Sequence, residues 1–298
     1  MTNKRLKNKN GDIINPITHE SAVLDDNGVN IGEKLNNMET MVSDVEANLE
    51  ELYAKDEELS SQLNSIDSTN KLNNKSIVAI GDSIMRGGGN NNVGFVDLIG
   101  LDNNMIINNI SYSGSTMATG VEGRKSICDM IDDNTLLNPD FILINGGIND
   151  YYNQVPIGEV KEVKGNLSGS EHGYTNFDTT TFCGALEELF RKLYTNENYQ
   201  ESKIIFIIPH KIVNSYYDRE DGQYNYSSLR EKTIEICEKW SIEYVDLFNK
   251  SRLITSVPFM DYRKYCGNTD ENDGVHPNEE GYRKFYIPHI IAKIKEMI

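Results

Sequence analysis

Hydrophobic and polar positions along the 298 residues follow two rhythms, and the change falls near residue 70. From Leu35 apolar residues recur at three-four spacing. Leu35, Val42, Leu49, Asp56 and Leu63 share one seam; Met38, Val45, Leu52, Leu59 and Ile66 share the other. Nine of these ten positions are apolar, whereas residues 32–67 as a whole carry ten acids, two bases and no proline. A two-in-seven stripe is narrower than the face a helix lays on the core of its own domain. The pattern therefore predicts an oligomerising coiled coil over residues 35–66. Valine on one seam with leucine on the other favours two strands, but leucines on both seams blur that preference and leave dimer and trimer open. Asp56 weakens one layer and sets register or marks where the coil loosens.

Past Lys75 the rhythm becomes an alternation of strand-length apolar runs with helical stretches. Ser76–Ile80, Met105–Ile110, Phe141–Ile144, Lys203–Ile208 and Ile242–Leu247 read as strands. Continuous rather than alternating hydrophobicity suits a parallel sheet buried on both faces. Val93–Ile99, Lys125–Ile131, Phe182–Tyr194, Ser227–Trp240 and Asn278–Met297 read as helices. Strand and helix in turn, with short connections, predict a doubly wound α/β domain. The longest irregular stretch, Tyr151–Thr181, exceeds what a compact domain usually leaves without a function.

In such sheets sites form beyond the carboxyl ends of the strands, and the distinctive polar residues fall there. Gly81-Asp82-Ser83 follows the first strand, Ser113-Gly114 the second and Gly146-Gly147-Ile148-Asn149-Asp150 the third, while Asp273-Gly274-Val275-His276-Pro277-Asn278 precedes the last helix. Taken singly these are a turn, a helix cap and a structural histidine. Together they meet the needs of acyl transfer: a nucleophile, a base, a group that orients the base, and oxyanion donors. Ser83 on a sharp strand-to-helix turn supplies the hydroxyl. His276 supplies the imidazole, with Asp273 three residues earlier to hold its tautomer. The backbone N–H groups of Ser83 and Gly114 and the amide of Asn149 supply the donors.

These four blocks resemble the SGNH, or GDSL, hydrolases, over most of residues 75–298. The blocks are Gly81-Asp82-Ser83, Asn109-Ile110-Ser111-Tyr112-Ser113-Gly114-Ser115-Thr116, Gly147-Ile148-Asn149-Asp150, and Asp273-Gly274-Val275-His276-Pro277. The resemblance implies a three-layer α/β/α fold, a Ser83–His276–Asp273 triad, an oxyanion hole of Ser83, Gly114 and Asn149, and no metal or cofactor. Two departures stand out: Ile84-Met85-Arg86-Gly87 replaces the usual continuation of the first block, and Ser111 occupies a position where glycine is common.

Composition narrows the function classes. Lysine and arginine total 29 against 46 acids, a net charge of −17, which opposes binding to phosphate backbones. The basic cluster Lys4, Arg5, Lys7 and Lys9 reads as a solvated tail. No apolar run approaches the roughly 20 residues a bilayer requires, and the N-terminus lacks the apolar core of a secretory signal. Cys128, Cys183, Cys237 and Cys266 are too far apart for a zinc knuckle and read as reduced, buried thiols.

Ahead of the coil, Asn15-Pro16-Ile17-Thr18 through Val23-Leu24-Asp25-Asp26-Asn27-Gly28 resembles the attachment regions of tail-fibre and baseplate proteins in phages of Gram-positive bacteria. In that family the coil that follows is usually trimeric. The expected organisation is an attachment segment over 1–31 that plugs into a phage tail or baseplate, a coiled coil and linker over 32–70, and a hydrolase domain over 71–298. The expected activity is removal of O-acetyl groups from cell-surface polysaccharide or teichoic acid by a virion tail component, assembled in the host cytoplasm and acting outside the cell. Tyr151, Tyr152, His172 and Tyr174 are candidate sugar-stacking residues, against the alternative that they cover the core. Two other readings stay open: a receptor-binding module with little turnover, and a free cytoplasmic carboxylesterase or lipase.

Overall fold

The computed structural model describes residues 6–7, 9–11, 13–14, 31–133, 136–161, 177–212, 225–255, 264–267 and 274–298. Backbone proximity divides the chain into Met1–Thr69 and Asn70–Ile298. In the first unit two short strands, β1 (Leu6–Lys7) and β2 (Ile13–Ile14), pair antiparallel around the Asn10-Gly11 turn, where Gly11 takes φ +87°. Helix α1 (Ile31–Thr69) then runs unbroken for 39 residues. Its seam residues are exposed: Leu35 at 47 %, Val45 at 64 % and Leu52 at 67 %. Leu63 and Ile66 lie where side chains are outside the described residues.

The second unit is built on five parallel strands in the order β4-β3-β5-β6-β7: β3 (Ser76–Ile80), β4 (Ile106–Asn109), β5 (Phe141–Asn145), β6 (Lys203–Ile208) and β7 (Glu243–Asp246). The apolar runs are central strands for the reason their composition gave: β5 is buried at every residue and β3 at four of five. β3 pairs with β4 on one side (Ile77 with Ile107) and with β5 on the other (Ile77 with Phe141). The chain therefore reverses its direction of winding at β3, and a crevice opens at the carboxyl ends of β3, β4 and β5.

Helices α2 (Ser83–Arg86), α3 (Phe95–Asn103), α4 (Ile127–Met130), α5 (Ile148–Tyr152), α6 (Phe182–Thr195), α7 (Tyr226–Lys239) and α8 (Leu247–Lys250) join the strands. The last helical run comprises α9 (Glu279–Gly281), a π-helical stretch Tyr282–Tyr286 and α10 (Ile287–Glu296). α3 starts at Phe95 rather than Val93 because Asp97 accepts the Gly94 N–H at 2.8 Å and caps the helix there. α4 is shorter than its sequence suggests, because residues 116 and 126 form a parallel bridge that consumes the preceding turn. The short helices α2, α5 and α8 carry too few residues to show a period and are invisible to pattern reading. Part of the irregular stretch after Tyr151 is anchored: Phe182 N and Cys183 N donate to Pro156 O and Ile157 O, both at 2.9 Å.

The four cysteines are reduced and buried. Burial pushes the Cys128 and Cys183 thiols up to about 12, which keeps them protonated and unreactive. Among the described residues no helix is long and apolar enough to cross a membrane.

Candidate active site

The turn after β3 places Ser83. Gly81 is required there because a Cβ would fall 2.8 Å from both Asn145 O and Met85 Cβ. Asp82 caps α2: its Oδ1 accepts the Ile84 N–H at 2.8 Å. Ser83 is thus the first residue of a one-turn helix, held from beneath by Tyr282, whose hydroxyl donates to Ile84 O at 2.7 Å. Tyr282 and Tyr286 pack against Phe95 with ring centroids 5.8 and 5.4 Å away, so the final helical run braces the turn.

His276 arrives from 193 residues away, and its Nε2 lies 2.7 Å from Ser83 Oγ. Its loop is pinned on both sides. Gly267 N donates to His276 O at 2.7 Å, Asn278 N to Tyr265 O at 2.9 Å, and Thr255 Oγ1 to Gly274 O at 2.5 Å. The close approach depends on Gly88 and Gly89. A Cβ on Gly88 would stand 3.0 Å from His276 Cδ2, and one on Gly89 would overlap His276 O. Sequence reasoning assigned these glycines nothing; the run Gly87-Gly88-Gly89 right after the first block is the signal that marks them.

The other two blocks meet at the same crevice. Asn149, on the first turn of α5, donates from Nδ2 to Ser115 O at 2.8 Å, which leaves its second N–H to point elsewhere. Asp150 is fully buried and accepts Met117 N at 2.7 Å and Ala118 N at 3.0 Å, lacing the loop after β5 to the loop after β4. Gly114 takes φ +81°. Ser111 points inward, its hydroxyl 3.4 Å from Ala79 O, so the departure from glycine leaves the crevice unchanged.

Two carboxyls behind the serine are electrostatically displaced. Burial pushes Asp82 up to about 7, against the Ile84 amide and the nearby His276. Its Oδ2 has no hydrogen-bond partner among the described residues. Burial likewise pushes Asp150 up to about 6, against the amides of Ala118 and Met117.

Ser83, Gly114, Asn149 and His276 line one cavity of about 450 Å³, together with Tyr152 and Arg124. The two candidate tyrosines separate. Tyr152 is 47 % exposed and faces the cavity, whereas Tyr151 is 7 % exposed and sits in the core, 5.9 Å from the Tyr226 ring. Tyr151 therefore packs rather than stacks on a ligand, because α5 turns successive side chains to different faces. Asp273, His172 and Tyr174 lie outside the described residues. Arg124 belongs to no motif, and nothing in its local sequence marks it.

A profile of the GDSL-like Lipase/Acylhydrolase family matches residues 79–284. Among solved structures the chain is similar to a Lactobacillus plantarum protein, with TM-score 0.60 and 22 % identity over 76 % of this chain and 99 % of that one. It is also similar to a possible lipase from Chitinophaga pinensis, with TM-score 0.53 and 17 % identity over 74 % of this chain and 98 % of that one. At these identities the likeness is one of fold. Comparison with curated proteins finds no match.

Proposed function

The chain belongs to the GDSL-like Lipase/Acylhydrolase family, and from that premise we propose that it is a serine esterase that removes O-acetyl groups from cell-surface polysaccharide or teichoic acid. The observation that carries the reading is the 2.7 Å separation of Ser83 Oγ and His276 Nε2 in a cavity that Gly114 and Asn149 also line. In this reading His276 takes the Ser83 proton as Oγ attacks the acetyl carbonyl carbon. The backbone N–H groups of Ser83 and Gly114 and the second N–H of Asn149 Nδ2 hold the oxyanion. The imidazolium then protonates the departing sugar oxygen, and water hydrolyses the acetyl-serine to release acetate. Asp273 orients the imidazole from the same loop. Tyr152 offers an exposed ring at the cavity for a sugar face.

The exposed seam of α1 supports the second half of the proposal. Apolar side chains spaced at three and four residues and exposed by about half or more fit a second and third copy of the same helix. Residues 35–66 then form a trimer, residues 1–31 attach it to a phage tail or baseplate, and clustered sites gain avidity on a multivalent wall polymer. The test is acetate release from O-acetylated wall polymer of Gram-positive cells by wild type and Ser83→Ala. A loss of about 10³-fold or more is expected; equal rates sink the esterase reading. Wild type that binds cells without releasing acetate identifies an adhesion module, and absence of the chain from purified tail particles identifies a free cellular esterase.

A further inference from the structure

Arg124 faces the Ser83 cavity without a part in acyl transfer. It lines the cavity with Gly114, Asn149 and Tyr152. Its Nη1 lies 3.4 Å from Gly114 O, and a Cβ built on Gly114 would fall 2.5 Å from that nitrogen. Glycine at 114 thus provides both the left-handed turn and the room for a guanidinium to lie beside the proposed oxyanion donors.

The backbone beneath this side chain is fixed. Arg124 N donates to Val121 O at 3.1 Å, Thr116 N to Lys125 O at 3.1 Å and Ile127 N to Thr116 O at 2.7 Å. Ser126 Oγ adds a bond to Met117 O at 3.1 Å. The turn that bears the arginine is therefore stitched to the loop that bears Gly114.

Electrostatics give the placement its meaning. A guanidinium has five N–H donors, and Arg124 uses one of them, at long range, on a neutral carbonyl. Arg191, Arg230 and Arg283 each hold a carboxylate at 2.5 or 2.6 Å, whereas Arg124 pairs with none among the described residues. Residues 71–298 carry 23 bases against 32 acids, so the domain as a whole repels anions. A cation that pairs with no carboxylate among the described residues therefore lines the cavity where a substrate enters.

We propose that Arg124 is a specificity-determining residue that pairs with an anionic oxygen group on the alcohol portion of the scissile ester, so that the substrates are O-acetyl esters of acidic glycopolymers. The inference rests on the esterase reading: an acetyl group has no charge to recognise, so the anion belongs to the polymer. The planar fork of donors suits a carboxylate or a phosphate alike.

The experiment compares kcat/KM for 4-acetoxybenzoate, 4-acetoxyphenyl phosphate and neutral 4-acetoxybenzamide in wild type, Arg124→Gln and Arg124→Lys. Comparing the ratio of anionic to neutral ester between wild type and each variant cancels the intrinsic reactivity of the esters. Arg124→Gln lowers that ratio about tenfold, the size of one charge-assisted hydrogen bond. Arg124→Lys lowers it less, and about 0.5 M salt narrows the difference. The larger drop, with the carboxylate or with the phosphate probe, identifies the acidic group of the polymer. An unchanged ratio in Arg124→Gln overturns the proposal. Wild type that hydrolyses none of the three overturns the esterase reading instead, and the arginine is then tested by binding. In Ser83→Ala, 4-hydroxybenzoate binds about fivefold or more tightly than 4-hydroxybenzamide, and the preference vanishes with Arg124→Gln; equal affinities overturn it.

Discussion

Helices α1 and α6 are both amphipathic, yet they meet opposite fates. α6 buries Phe182, Leu186, Leu189, Phe190 and Leu193 within its own unit, and Phe190 packs 6.3 Å from the Trp240 ring. α1 leaves Val42, Val45, Leu49, Leu52 and Leu59 exposed. The difference lies in period and stripe width. The apolar residues of α6 cover a face broad enough to dock on a sheet, while the strict three-four seam of α1 is narrower and has the spacing of a coiled coil. Burial of an apolar face is a requirement that sequence states; its partner can be the same chain or another copy.

The largest effect that separates the two regions is chemical. Ser83→Ala is expected to lower acetate release by about 10³-fold or more while the mass in solution stays that of the wild type. A lower mass would show that the two units depend on each other. The converse change acts on the seam. Leu49→Asp with Leu52→Asp places charges in two successive layers and is expected to yield single chains by light scattering, with kcat/KM on a small soluble ester within about twofold of wild type. An intact oligomer would mean that the exposed seam is not the interface.

Core truncation sharpens the contrast. Phe190→Ala should cost about 3–5 kcal/mol of second-unit stability, measured by denaturant unfolding at any protein concentration. Leu52→Ala should instead shift a concentration-dependent midpoint.

Protonation offers a smaller probe confined to the second unit. Asp82 and Asp150 hold protons up to about 7 and about 6 in the folded chain, against an ordinary carboxyl value of 3.8. Because folding raises both values, the folded state binds the extra protons. Their stabilisation is full below about pH 4 and is lost as pH rises through about 6 and 7. Asp82→Asn is expected to flatten this fall by on the order of 3 kcal/mol between about pH 4 and 7, leaving the part due to Asp150. An unchanged slope of stability against pH would place the charge cost elsewhere. The smallest effect is Tyr282→Phe, which removes the hydroxyl bond to Ile84 O. It should cost about 1 kcal/mol of unfolding free energy and lower kcat more than it raises KM, since it loosens the turn under Ser83.

Much of the architecture is legible in the order of residues alone. The strands Ser76–Ile80 and Lys203–Ile208 match their apolar runs residue for residue, because a strand buried on both faces admits no polar interruption. The seam of α1 and the residues Ser83, Gly114, Asn149 and His276 are likewise visible, the first through its period and the others through their positions at strand ends and before the last helix. Local pattern reaches that far because periodicity reports which face of an element is buried.

Tertiary structure decided what depends on which elements become neighbours. The order β4-β3-β5 placed the reversal of winding at β3 and so gathered three separate loops into one crevice. The approach of His276 to Ser83 across 193 residues rests on Gly88 and Gly89, whose lack of a side chain matters only once the last loop lies over them. Tyr151 and Tyr152 are adjacent and chemically alike, yet one is core and the other cavity wall, because a helix turns neighbouring side chains about 100° apart. Arg124 has no motif; its place beside Gly114 arises from a bridge between residues 116 and 126. Sequence determined what each segment must bury and which side chains were available for chemistry, whereas contacts between distant segments, set by strand order and close packing, determined which of them share a site.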